Sequence, residues 1–317
     1  MNESFHSFQV FLKNKFPGSK VVKIPIHAGL ACPNRDGSLS TAGCTFCDRY
    51  ASGPIRTASW PIARQIESYI QRHPGLKYIA YFQSHCNTYG PEPELRQKYE
   101  IVFRYGDIVG LAIGTRPDAI SGPVFSLLAG LSRRIYLSVE LGLQSIHEKS
   151  LALLNRNHSY RQFLRAFHEL KARGIDVVVH LIIGIPGETR THMLQTIEAM
   201  NGLRPAGVKL HLLHVLQGTE LHSRYVRSPF PLLGQEEYAD IIVDLLEHLD
   251  PRIVVHRLTA DRDRELFVAP LWALNKPAVL NSIRSKMKAR GSWQGCRLEP
   301  PAPRPAAMDE GEPGAVR

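Results

Sequence analysis

Nothing in the 317 residues approaches the run of roughly twenty apolar side chains needed to cross a bilayer. The opening residues, Met1-Asn-Glu-Ser-Phe-His-Ser-Phe8, lack the plan of a secretory signal. Together these absences lead us to expect a soluble, cytoplasmic protein with no membrane partner. Cysteine is scarce: five in all, an odd count with three clustered, which argues against the disulfide framework of a secreted domain. Acid is in deficit, with 29 Asp and Glu against 39 Lys and Arg, a net charge of +10. That excess favours nucleic acid or another polyanion as a partner, and it equally suits a plain solubilising surface. From Leu298 onward periodic apolar residues disappear and prolines crowd in, so 298–317 reads as a disordered tail without chemistry.

What is present is an alternation of helix-like and strand-like segments. Strand-type runs fall at 21–26, 77–82, 108–113, 135–141, 176–183 and 208–215, with helical periodicity between successive runs from 62 to 203. Long apolar strands without strict alternation fit strands covered on both faces, and βα repeats make parallel sheets. The expectation is an α/β fold, an open doubly wound sheet or a partial barrel, with its site at the C-terminal ends of the strands. An N-terminal helix occupies 1–20 and the parallel-strand body 21–216. A C-terminal extension, 217–297, carries a helix at 235–249, a short strand at 253–257 and a basic helical stretch at 271–290.

The first strand runs straight into Ala31-Cys-Pro-Asn-Arg-Asp-Gly-Ser-Leu-Ser-Thr-Ala-Gly-Cys-Thr-Phe-Cys47, a loop by composition. It holds Cys32, Cys44 and Cys47. A thioredoxin-like redox pair is excluded because Cys32 stands with Cys44-Thr-Phe-Cys47 and no redox strand and helix flank it. Three thiolates point to a metal or cluster with one coordination position left over. By spacing alone zinc and iron–sulfur are even, and a closed zinc site would draw its fourth ligand from Cys86, His27 or His85. Cys86 reads as a small buried hydrophobe.

The loop after strand one, Phe46 beside the last cysteine, and the βα units resemble the radical SAM superfamily. The spacing is C-x11-C-x2-C where C-x3-C-x2-C is usual there, and Cys-Pro-Asn-Arg-Asp-Gly…Gly-Cys-Thr-Phe-Cys is similar to the YhcC/YtqA-type branch, relatives of the Elongator-type catalytic subunit. The resemblance runs from about residue 5 to about residue 290. It implies a partial (βα)6 TIM-type barrel, a [4Fe-4S] cluster on Cys32, Cys44 and Cys47, and S-adenosyl-L-methionine chelating the free iron. Reductive cleavage of SAM would then yield a 5′-deoxyadenosyl radical. Val139-Glu-Leu-Gly-Leu-Gln-Ser145 and Leu153-Leu-Asn-Arg-Asn-His-Ser159 resemble the fourth-strand motif, which implies SAM contacts at Glu140 and Gln144, with Arg156 and His158 as further candidates. His180-Leu-Ile-Ile-Gly-Ile-Pro-Gly-Glu188 resembles the adenine motif G-x-I-x-G-x-x-G-E with His180 in place of its first glycine, and implies Ile182, Gly184 and Gly187. The second strand ends in Gln83-Ser-His-Cys86 instead of a Gly-Gly-Glu segment, leaving Gln83 as the candidate there.

By the same resemblance the partners are a flavodoxin- or ferredoxin-like electron donor and a tRNA, modified at a wobble-uridine side chain. Two other readings stand beside it: radical chemistry on a small molecule or protein, and a zinc-stapled nucleic-acid-binding protein without turnover. Arg116 reads equally as part of a helix cap or as a contact for an anionic substrate. His211 and His214 read as packing or hydrogen-bonding residues, not ligands. Lys286, Lys288 and Arg290 read as a solvated face, with nucleic-acid contact as the sharper alternative.

Overall fold

In the computed structural model the described residues are 4–51, 53–54, 56–259 and 264–303; residues 1–3 and 304–317, most of the expected tail, lie outside them. Parallel strands β1 (Val21–Ile26), β2 (Lys77–Phe82), β3 (Ile108–Thr115), β4 (Tyr136–Gln144), β5 (Asp176–Ile183) and β6 (Gly207–Leu212) lie side by side in chain order. After a two-residue strand β7 (Val215–Leu216), strand β8 (Val254–Arg257) pairs in parallel with β6, so the described residues form a seven-stranded sheet. The six-strand expectation is thus extended by one, from the segment the sequence assigned to the C-terminal extension. A final strand β9 (Phe267–Ala269) pairs antiparallel with β7. This is the open, partial barrel of an α/β fold.

Helices α1 (Phe8–Lys15), α2 (Ile62–Arg72), α3 (Glu92–Glu100), α4 (Gly122–Ser132), α5 (Glu148–Leu153), α6 (Tyr160–Ala172) and α7 (Arg190–Leu203) alternate with the strands. They are followed by α8 (Glu220–Arg227), α9 (Gln235–Glu247) and α10 (Lys276–Arg290). Central strands are covered on both faces: every residue of β4 after Tyr136 is buried. Helix α6 turns an apolar stripe of Phe163, Ala166, Phe167 and Leu170 to β4 and β5. None of the helices among the described residues is long and apolar enough to cross a membrane.

Helix α6 starts at a capping box. The Ser159 hydroxyl accepts from the Gln162 N–H at 3.2 Å, and the Gln162 side chain accepts from the Ser159 N–H at 2.8 Å. Ser159→Ala is expected to lower stability by about 1 kcal/mol, seen as a lower urea midpoint at an unchanged denaturant slope.

The open edge between β1 and β8 is closed from below by the N-terminal segment. Ser7 bridges to Val255, and the Phe8 ring stacks on His256 at 4.1 Å with Lys23 Nζ 4.6 Å over its face. At the other end of the chain, α10 lies against α9 and its basic residues are largely occupied there. Lys286 meets Glu236 and Asp240, each at 3.0 Å, and Arg290 meets Asp240 and Asp244, each at 2.7 Å. Two of the three cations considered for nucleic acid therefore serve helix–helix packing. Within the stretch assigned to the tail, Ala302 is buried and its carbonyl accepts from Trp293 Nε1 at 2.9 Å.

Candidate active site

The chain leaves β1 at the C-terminal end of the sheet, and the cysteine loop folds over the half-barrel mouth. Two asparagines after α5 hold it there. Asn155 and Asn157 both take positive φ, 50° and 51°, a conformation asparagine tolerates better than most residues. Asn34 Nδ2 donates to the Asn155 carbonyl at 2.7 Å, and Asn157 Nδ2 donates to Asn34 Oδ1 at 2.6 Å. Backbone bonds from Thr45 N–H to Leu154 O (3.0 Å) and from Leu221 N–H to Thr45 O (2.7 Å) fasten the cysteine pair between α5 and α8.

Beneath the loop lies a cavity of about 180 Å³, and Cys32, Cys44 and Cys47 all line it. Arg156 Nη1 donates to Cys44 Sγ at 3.1 Å, and Arg116 Nη1 stands 3.9 Å from the same sulfur. Arg116 is buried, paired with Asp118 at 2.8 Å and donating to the Arg156 carbonyl. It is not an exposed cap residue: it supports the thiol wall and lines the cavity. His158 stands behind Arg156, accepting from its Nε at 3.2 Å, and is held neutral: burial, then the Arg156 charge, lowers its pKa to about 2.

A fourth thiol, the buried Cys86, donates to Cys32 Sγ at 3.4 Å. That hydrogen bond is the main reason the Cys32 pKa falls to about 6, against the opposing cost of burial. Cys47 goes the other way, pushed up to about 12 by burial and then by neighbouring Cys44. Among the described residues no three His, Cys, Asp or Glu side chains are grouped to hold a single metal ion. The loop thiols form a wall, not a point. Thiol donors with guanidinium charge at Cys44 suit an anionic metal–thiolate group, whose ligands must be deprotonated.

Of the other residues singled out in the sequence, Phe46, Gln83, Glu140, Gln144, Arg156 and Ile182 also line the cavity. Phe46 and Ile182 share an apolar patch with Leu154 and Leu213. Gln144 ends β4 at φ 78°, an uncommon conformation for a residue other than glycine. A Cβ on Gly142 would come within 2.9 Å of Gln144 Nε2 and 3.1 Å of Arg156 Nη2, so glycine there lets both polar groups reach the cavity. Gly184 and Gly187 stand outside the lining. Both sit at φ 87°, but only at Gly184 would a Cβ collide, 2.8 Å from Leu233 Cδ1. Gly187→Ala is expected to cost about 1–2 kcal/mol through the backbone alone, and Gly184→Ala about 1–3 kcal/mol more through the added contact; comparing the two urea midpoints isolates the Leu233 term.

Glu140 lies deeper than the cysteines. Its Oε1 accepts from Lys23 Nζ at 2.6 Å, and its Oε2 accepts from His180 Nε2 at 2.8 Å and from Lys209 Nζ. Burial alone would raise the carboxyl pKa, but Lys209 and then Lys23 hold it well below the usual carboxylate range. Lys209 shares that carboxylate with Lys23, so burial costs it more than Glu140 returns and its pKa falls to about 7. It also donates to Tyr81 Oη at 3.2 Å. His180, which stands where the adenine motif has glycine, is lowered to about 4 by burial and the Lys209 charge, and is neutral. The His214 ring packs on Phe267 at 5.2 Å.

Tyr81, Lys209 and Arg257 line the same cavity, Lys23 pairs with Glu140 on its wall, and none of the four was singled out in the sequence as a site residue. The available signal was a charged residue inside an otherwise apolar strand, as in Val208-Lys-Leu-His-Leu212 and Val254-Val-His-Arg257.

The family model described as the radical SAM superfamily matches residues 32–200, and the one described as the Radical_SAM C-terminal domain matches 205–289. The chain is 38% identical over 299 residues to the uncharacterised protein YtqA of Bacillus subtilis, covering 92% of each. It is 34% identical over 137 residues to the tRNA uridine(34) acetyltransferase of Methanocaldococcus infernus, covering 42% of this chain and 25% of that one. The solved structure of Methanocaldococcus infernus Elp3 with an N-terminal deletion aligns with a TM-score of 0.64 at 19% identity, covering 88% of this chain and 66% of the other, a likeness of fold.

Proposed function

The chain belongs to the radical SAM superfamily of enzymes, and from that premise we propose that Cys32, Cys44 and Cys47 hold a [4Fe-4S] cluster beside which S-adenosylmethionine binds. The observation that carries this reading is three loop thiols on one cavity wall with the Arg156 guanidinium 3.1 Å from Cys44 Sγ. When bound, the reduced cluster and SAM supply a 5′-deoxyadenosyl radical able to take hydrogen from an unactivated carbon. The chain's own contribution is placement and exclusion. Arg156 and Arg116 offset the charge of the metal-bound thiolates, and Cys86 donates to Cys32. Gln83 and Gln144 offer amides to the polar parts of SAM, and Phe46 and Ile182 keep water from the reacting carbon. A flavodoxin- or ferredoxin-like protein would serve as the electron donor once the cluster is bound.

The substrate class we assign is tRNA, at the side chain of a wobble uridine, with hydrogen taken from a carboxymethylaminomethyl-type substituent. Its support is the likeness to a tRNA uridine(34) acetyltransferase over 42% of the chain, together with the net charge of +10. Comparing the modified nucleosides of tRNA from cells with and without the gene tests it. Loss or accumulation of one wobble-uridine derivative is the expected result. An identical nucleoside profile would turn the assignment to a small-molecule or protein substrate.

A further inference from the structure

Below the thiol wall the interior of the half-barrel carries a second polar group that neither the cluster nor its cysteines use. Strand register sets His180 of β5 beside Lys209 of β6, and Lys209 beside Arg257 of β8. Two residues further along β6, His211 comes alongside Ile182, its ring 5.2 Å from that of His180. All of these side chains line the cavity.

Their pairing is unbalanced. Lys23 and Lys209 share the single carboxylate of Glu140, and Arg257 adds positive potential that, after burial, helps depress the charge on Lys209. Lys209 is only 4% exposed, so its ammonium has little water to turn to. His211 Nε2 is enclosed on the cavity wall without a hydrogen-bond partner among the described residues. A buried ring nitrogen left unsatisfied and a buried cation that must share its counter-ion are both unfavourable unless a ligand completes them.

We propose that Lys209 and His211, with Arg257 supplying further positive charge, form a binding site for an oxyanion carried by the substrate, a carboxylate or a phosphate. Such a group gives Lys209 a negative partner of its own and accepts from the His211 ring in the tautomer that carries its proton on Nε2. The assignment to substrate and not to SAM rests on depth, and in that respect on the radical SAM reading above. Lys209 sits three residues below the end of β6, about 10 Å beneath the rim, whereas the amino-acid end of SAM belongs beside the cysteines. Anchored at the floor by its anion, a substrate would extend toward the cysteine loop and present a carbon near the rim.

Calorimetric titration of inorganic phosphate and of malonate into the reconstituted protein tests the site. Wild type should bind one or both saturably, and the preferred anion identifies the group carried. Lys209→Met should weaken that binding at least tenfold, while Lys288→Met, at an exposed lysine of α10, should not change it. His211→Phe leaves both lysines on Glu140 and should weaken binding severalfold; it serves if Lys209→Met proves unstable. Equal anion affinity in wild type and both floor variants, or no binding in wild type, overturns the proposal. So does a tenfold loss of SAM affinity in Lys209→Met with anion binding unchanged, which would give the lysine to SAM. Iron content measured on the same wild-type preparation separates the two readings: floor binding that persists in a protein unable to hold iron would sink the cluster and spare this site.

Discussion

Cys44→Ala is expected to abolish bound iron and SAM cleavage together, whereas Cys86→Ala keeps both. The four thiols share one cavity, but their surroundings separate them. Cys44 is the sulfur on which the supports converge: Asn34 Nδ2 at 3.5 Å, Arg156 Nη1 at 3.1 Å and Arg116 Nη1 at 3.9 Å. Removing it leaves two buried guanidinium groups facing an apolar methyl and takes a ligand from a group that has three. Cys86 has a different position. It donates to Cys32, and is itself raised in pKa by burial and then by that same hydrogen bond. It therefore behaves as a donor to a ligand, and losing such a supporting contact costs about tenfold in metal affinity, not the site. Iron analysis and the visible absorption of the two anaerobically reconstituted variants check this. Iron lost with Cys86 would mean that the ligand set has been miscounted.

Glu140→Ala should be the most destabilising single change in the barrel interior. It leaves Lys23, Lys209 and His180 around an empty site with no carboxylate, and removal of one partner from a buried charge network costs about 3–5 kcal/mol. Glu140→Gln keeps the volume and part of the hydrogen bonding, and should fall between the two. The acid limb of the stability curve gives an independent check. The folded carboxyl has a pKa well below its ordinary value of 4.5, so its contribution is complete above that value and is lost as pH falls toward the folded pKa. Wild-type stability should therefore drop more steeply below about pH 4.5 than that of Glu140→Gln. Parallel acid limbs would mean that Glu140 is not ionised in the native state.

The residues that were legible in the sequence are those whose pattern is local. Strands such as Tyr78–Phe82 are buried on both faces and read as continuous apolar runs, which is why the parallel sheet could be anticipated. The cysteine loop announced itself by composition and by having three thiols in seventeen residues. Strand β8 could be read as a short strand but not placed in the sheet, because Val254–Arg257 gain their position only by pairing with β6 across more than forty residues of chain. Arg156 could be named as a site residue but not given its neighbour: its contact with Cys44 spans 112 positions. The floor was missed for a related reason. A lysine inside an apolar strand reads as an edge or solvent residue, and only strand register shows that Lys23, Lys209 and Glu140 turn toward one another.

The loop itself has gained a structural reason for its long spacing. Between Cys32 and Cys44 it carries Asn34, which binds Asn155 and Asn157 and so ties the first thiol's turn to the segment that brings Arg156 to Cys44. Reconstituting the protein anaerobically with iron and sulfide, reducing it, and assaying 5′-deoxyadenosine from SAM tests the central assignment most directly. A brown protein that releases 5′-deoxyadenosine and methionine is the predicted result; a colourless protein that holds one zinc and leaves SAM intact would contradict it.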